Sequence, residues 1–169
     1  LLMACVAVGA TLSDAAAQDR EPGRRANPIG QFFERLLGVG PDGHFTTITA
    51  ALDYVRRTFH PLASGDERTI RVTGGRIYRE RIEIDNSQTR RFPQGIRIVC
   101  DDNEPAILEP TGSEPVIDLR TAERFQLKGF TVRGTGQPVL VRLEGYLVRT
   151  VLEDLTLEGA GEAAVLAHG

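Results

Sequence analysis

"FQLKGFTVRG", residues 125–134, recurs as "TVLEDLTLEG" at residues 150–159. Leu127 falls on Leu152, Phe130 on Leu155, Val132 on Leu157 and Gly134 on Gly159, a constant offset of 25 residues. Upstream of each copy the pattern continues: "PVIDL" (115–119) and "PVLVRL" (138–143) begin 23 residues apart. A period in the low twenties, holding two or three short strands and no helix, fits one coil of a β-solenoid. A single coil cannot bury its inward side chains, whereas stacked coils bury them as apolar ladders joined by backbone hydrogen bonds. Leu127, Val132, Leu152 and Leu157 are therefore expected to point inward and stack. A leucine-rich repeat has a similar period but needs an asparagine ladder and a helical or 3₁₀ return leg, and neither is visible. A β-sandwich needs no repeat.

The pattern extends back to residue 69. "TIRVTGGRIYRERIEID" (69–85) sets Ile70 and Val72 against Arg71 and Thr73, turns at Gly74-Gly75, then sets Ile82 and Ile84 against Glu83 and Asp85. This is the period-2 alternation of short strands, and the stretch fits the first coil. Further runs, "GIRIVC", "AILE", "VIDL", "VLVRL" and "AAVLA", supply the other strands. Upstream lies a different period. Ile48, Ala51, Leu52 and Val55 recur at helical spacing after the "PDG" turn. Thr46 or Thr47 is placed to cap the start, and Arg56-Arg57 suits the negative end of the dipole. A short amphipathic helix is expected there. In "IGQFFERLLG" the residues Phe32, Phe33, Leu36 and Leu37 share a helical face and Gly38 would stop the helix. Residues 18–28, with two prolines and a glycine, read as a linker.

Composition agrees with a β-rich chain. The 169 residues contain no Trp, 6% aromatics and 18 Gly, and suit one domain. The formal charge of −3 provides no basic field, which argues against nucleic acid as a partner. Residues 1–17, "LLMACVAVGATLSDAAA", are apolar, lack Lys and Arg, and end in a small-residue run matching a signal-peptidase site before Gln18. They read as a secretory signal with cleavage after Ala17, and a truncated membrane helix is the rival. "LMAC" at 2–5 faintly matches a lipoprotein box, but the apolar run continues past Cys5. The expected location is secreted, periplasmic or cell-surface, with membrane contact only if residues 1–17 are an anchor. Cys100, within "IRIVC", would be the sole cysteine of the mature chain, so no internal disulfide is possible. It reads as a buried apolar thiol.

The order "DGHFTTITAALDYV", "TIRVTGGRIYRERIEI", "GIRIVCDDNEPAILEP", "FQLKGFTVRG" resembles the right-handed parallel β-helix proteins of the pectate-lyase-like superfamily. It most resembles the amino-terminal part of pectinesterases, where a short helix caps the solenoid and a "Tyr-Arg-Glu" stretch follows, as at Tyr78-Arg79-Glu80. The likeness covers about residues 40–169. It implies an all-β right-handed parallel β-helix with an amino-terminal helical cap. The expected organisation is 1–17 signal or membrane segment, 18–40 linker with a short helix, and 41–169 solenoid. It also implies an exported protein that acts on or binds acidic polysaccharide, as a lyase or esterase. The catalytic motifs of pectinesterases, Gly-Phe-x-Gly-x-Gln-Asp-Thr and Asp-Phe-Ile-Phe-Gly, do not occur, so no catalytic residue is carried over. The sequence stops in mid-coil and reads as a fragment.

The candidate chemistry is sparse. Asp101, Asp102 and Glu104 in "CDDNE" form the densest acidic cluster, and clustered loop carboxylates suit calcium, which solenoid lyases use. A solvated turn between coils is the simpler reading. Lys128, Arg133, Arg142 and Arg149 are outward in the repeat and could grip a uronate or sulfated sugar. Glu153 and Glu158 replace Lys128 and Arg133 one coil later, however, and that alternation favours cross-strand charge pairing. Asp118 and Asp154 have no partner placed by the repeat. His44, His60 and His168 are scattered, and Tyr78, Arg79, Glu80 and Arg81 read as surface. No HExxH, CxxC, phosphate loop or nucleophile elbow occurs. The expected activities are an exported lyase or esterase with its catalytic residues on further coils, or a non-catalytic extracytoplasmic scaffold or binding module.

Overall fold

The computed structural model describes residues 36–58, 68–86 and 95–168. Residues 1–17, the 18–28 linker, Phe32, Phe33 and His60 lie outside these. The elements in chain order are β1 (Leu36–Val39), α1 (Ile48–Thr58), β2 (Arg68–Val72), β3 (Ile77–Tyr78), β4 (Ile82–Asp85) and β5 (Ile96–Val99). They continue with β6 (Ala106–Leu108), β7 (Ile117–Arg120), β8 (Gln126–Arg133), β9 (Val139–Glu144), β10 (Val151–Glu158) and β11 (Ala163–His168). Every strand pairing is parallel. The chain is a parallel β-helix with four coils among the described residues, β2-β3-β4, β5-β6-β7, β8-β9 and β10-β11.

The 25-residue offset is the structural register. Leu127 pairs with Leu152, Phe130 with Leu155 and Val132 with Leu157. Leu127, Phe130 and Val132 are fully buried, and their partners on the last coil pack against the same core. One inward ladder runs Leu37, Ile70, Ile98, Leu127, Leu152, and another runs Ile82, Ile117, Val141, Val165. The 23-residue offset is corrected to 24. Ile117 pairs with Val141 and Asp118 with Arg142. A one-residue slip would have set outward Asp118 against inward Val141, and a strand buried on one face does not tolerate that.

The helix forms where its spacing placed it. Ile48, Ala51, Leu52 and Val55 are buried, and α1 packs on β1 and β2. The stretch before it is corrected. Leu36–Val39 is a strand in register with β2, so among the described residues strand pairing already includes Leu36 rather than beginning after residue 40. Leu37 and Val39 alternate inward, and pairing with β2 satisfies backbone groups that a helix ending at Gly38 would leave unpaired. Tyr78 is likewise corrected from surface to core. It is 7% exposed, its hydroxyl donates to the Thr73 carbonyl at 3.0 Å, and burial raises its pKa.

One bend makes β8 serve two positions of the coil. Its first half pairs with β5 and its second half with β6. The corner is Gly129, at φ +79°, and a Cβ there would stand 2.1 Å from the Cys100 carbonyl oxygen. The same corner on β10 is Asp154, at φ +51°.

Candidate functional site

Strand alternation decides which side chains the solenoid offers to solvent. On β7, Ile117 and Leu119 point into the core, so Asp118 between them points out. It is nevertheless fully buried, because three arginines close over it. Arg142, opposite in register on β9, donates from Nε to Oδ1 at 2.9 Å and from Nη2 to Oδ2. Arg120, two residues along the same face, donates from Nη2 to Oδ2 at 2.8 Å and from Nε to Oδ1 at 3.3 Å. Arg81, entering β4, donates from Nη2 to Oδ2 at 3.3 Å. An outer ring of carboxylates surrounds them. Arg81 lies 3.6 Å from Glu83 and 3.9 Å from Glu114, and Arg120 lies 3.9 Å from Glu144.

Burial alone would raise the Asp118 pKa. The hydrogen bonds and charges of Arg142 and Arg120 outweigh it and hold the carboxyl below its ordinary value. An aspartate held ionised and covered by guanidiniums makes a poor general base, which needs a pKa near the working pH and an open path to the proton. The arginine side chains are 24–38% exposed, so their outer edges remain open to solvent anions.

The other outer face carries Lys128 and Arg133, and both are paired. Lys128 reaches Glu153 at 2.9 Å and Asp154 at 3.5 Å. Hydrogen bonding to Glu153 raises the Lys128 pKa, and the same bond lowers that of Glu153. Arg133 bridges Glu109 at 3.1 Å and Glu158 at 3.0 Å. Arg97 donates to Gln126, which donates to Glu153. The cross-strand pairing expected from the alternation of Lys128 and Arg133 with Glu153 and Glu158 is thus present. Arg149 sits exposed at a corner, at φ +53°. Asp118 and Asp154, left without partners by the sequence pattern, both have them. The off-by-one register had hidden Arg142 from Asp118.

The acidic turn is divided among different partners. Asp102 Oδ2 accepts from the Gly74 backbone nitrogen at 2.5 Å, tying the turn to the preceding coil, while Asp101 lies 3.9 Å from Arg71. Glu104 contributes its carbonyl, 3.5 Å from the buried Cys100 Sγ. Among the described residues no group of three His, Cys, Asp or Glu side chains is arranged to hold a metal ion. His44 Nδ1 accepts from Gly38 at 3.1 Å, and His168 stands beside Glu144 in register on the last strand.

Two polar residues that sequence reasoning missed hold turns together. Glu80 binds the start of α1 from 32 residues away, with no local capping box to reveal it. Gln137 is fully buried. It donates to the Pro110 carbonyl at 3.0 Å and accepts from Thr135 at 2.6 Å, stapling successive coils. Its place after the glycines of "GTGQP" was the available cue. Comparison with protein-family models, with curated proteins and with solved structures finds no match to this chain.

Proposed function

We propose that this stretch of chain is a non-catalytic β-helix module, a rigid scaffold whose outer faces serve for presentation or binding rather than for bond breaking. The observation that carries this reading is the engagement of its outward charges with one another. Lys128, Arg133 and Arg142 each grip carboxylates of adjacent coils, and Asp118 is covered by arginines. Elimination on a uronate needs a free base beside the sugar carbon and a cation or arginine for the developing charge. Ester hydrolysis of the pectinesterase kind needs two carboxyl groups in different protonation states. The expected outcome is no unsaturated product and no methanol release from pectin, with or without calcium. Turnover abolished by Asp118→Asn or Asp154→Ala would refute the reading.

A second reading is retention of acidic polysaccharide. It is favoured by the exposed edges of Arg81, Arg120 and Arg142 on one face and by the resemblance to pectinesterase-type solenoids. It expects polygalacturonate to bind in calorimetry and Arg120→Ala to weaken that binding. No heat of binding at low salt would exclude it. Under either reading the expected site of action is outside the cytoplasm. Mass spectrometry of the exported protein should then find Gln18 at its amino terminus, and an intact, membrane-retained segment would favour the anchor.

A further inference from the structure

We propose that Arg124 and Arg149 form a binding site for a tetrahedral oxyanion, the phosphate or sulfate group of an ester. The site is the corner that leads into β8 and β10, and it uses none of Arg81, Arg120 and Arg142. The inference goes beyond both readings above and rests on neither. Register brings the two arginines together. Arg97 pairs with Gln126 and Gln126 with Val151, so two residues earlier Gly95, Arg124 and Arg149 stand in line on consecutive coils. Backbone bonds fix the corner. The Arg124 nitrogen donates to the Val148 carbonyl at 2.7 Å, and the Val151 nitrogen donates to the Phe125 carbonyl at 2.8 Å. The two arginine backbones are therefore about one strand spacing apart, ~4.8 Å.

Two features of this corner oppose arginine. The backbone is left-handed in all three coils, with φ +96° at Gly95, +52° at Arg124 and +53° at Arg149. Glycine adopts such a φ freely, whereas a residue with a Cβ is strained there. Like charges in register also repel. Elsewhere the solenoid sets Lys128 against Glu153, Arg133 against Glu158 and Arg142 against Asp118. Arg124 instead has Gly95 on the preceding coil and Arg149 on the following one, so neither neighbour in register supplies a carboxylate. Both arginines are exposed, and neither guanidinium has a hydrogen bond or ion pair among the described residues. Strain held at two successive coils without an internal contact to gain from it is the mark of a position kept for a ligand.

The pair also selects the ligand. A guanidinium offers parallel N–H bonds that one carboxylate satisfies with its two oxygens. A phosphate or sulfate ester presents three acceptor oxygens, so it can accept from both arginines at once, and its charge relieves their repulsion. A uronate carboxylate gains from one arginine only.

The test follows the Nε–H resonances of Arg124 and Arg149 by NMR at low salt while glucose 6-phosphate, glucose 6-sulfate or glucuronate is added to the whole chain. At least one ester should move both resonances along one saturation curve, and that curve should weaken with sodium chloride. Glucuronate should need about tenfold more ligand, the difference of one charge-assisted contact. A tighter curve for the phosphate assigns the site to phosphorylated ligands, and a tighter curve for the sulfate assigns it to sulfated ones. Arg124→Gly installs the residue that the corner's φ favours. It should match or exceed the wild type in melting temperature and still weaken the Arg149 response to the preferred ester about tenfold. Should that variant not fold, the comparison of esters with glucuronate on the unaltered chain still decides. Equal curves for esters and glucuronate, movement of one arginine without the other, no response to either ester, or undiminished affinity in Arg124→Gly would each overturn the proposal.

Discussion

Glu80, on the first coil, binds Thr49 twice. Its Oε2 accepts from the Thr49 backbone nitrogen at 2.8 Å and from the Thr49 hydroxyl at 2.7 Å. Oε1 accepts from the Ile48 nitrogen at 2.8 Å, and Thr47 Oγ1 accepts from Ala50 at 3.1 Å. The first turn of α1 is therefore satisfied by its own N-cap and by a carboxylate lent from the solenoid, placed at the positive end of the helix dipole.

Glu80→Ala should cost about 1–3 kcal/mol, because it removes charge-assisted bonds to otherwise unsatisfied donors. Thr47→Ala should cost about 1 kcal/mol. Glu80→Gln keeps an acceptor and should fall below Glu80→Ala. Urea unfolding of the three variants orders them, and equal midpoints for wild type and Glu80→Ala would show that the solenoid does not anchor its helix through this residue.

Asp118 sets an acid dependence. Its folded pKa lies below its ordinary value, so its stabilising contribution is complete above the unfolded pKa of about 4 and is lost as pH falls through the folded value. Wild type should lose stability below about pH 4 more steeply than Asp118→Asn. At neutral pH Asp118→Asn should cost about 2–4 kcal/mol. That is toward the low side for breaking a buried pair, because the arginines left behind are partly solvated. Denaturant midpoints across an acid series measure both.

The ladder position predicts a gradient in packing energy. Leu127→Ala, with a neighbour on both sides, should cost roughly 2–5 kcal/mol. Leu152→Ala, the same rung on the half-covered last coil, should cost less, since the removed atoms are already partly in water. Matching losses in chemical denaturation would mean that the last coil is as well covered as the third.

The bend shared by Gly129 and Asp154 makes opposite substitutions informative. Gly129→Ala places a Cβ against the Cys100 carbonyl and should be severely destabilising. Asp154→Gly removes the strain of a left-handed non-glycine residue, about 1 kcal/mol, and forfeits only an exposed contact to Lys128. Its melting temperature should stay level or rise.

The sequence by itself determined the repeat, the strands and the cap helix. Their signals are local: Ile70 and Val72 alternate with polar neighbours, Ile48 to Val55 repeat at helical spacing, and Leu127 to Val132 recur 25 residues on. Each reports the burial of one face, which a period records directly. Only the tertiary structure decided the rest. Leu36–Val39 became a strand because β2 offered it a parallel edge, which its helix-like spacing could not reveal. The slip from 23 to 24 residues between β7 and β9 was fixed by inter-coil hydrogen bonds, and with it the partnership of Asp118 and Arg142. Glu80 and Gln137 found their partners 32 and 27 residues away. Unlike Lys128 and Arg133, whose partners recur 25 residues on, these polar groups follow no period, and what they bind depends on which coil the backbone sets beside them.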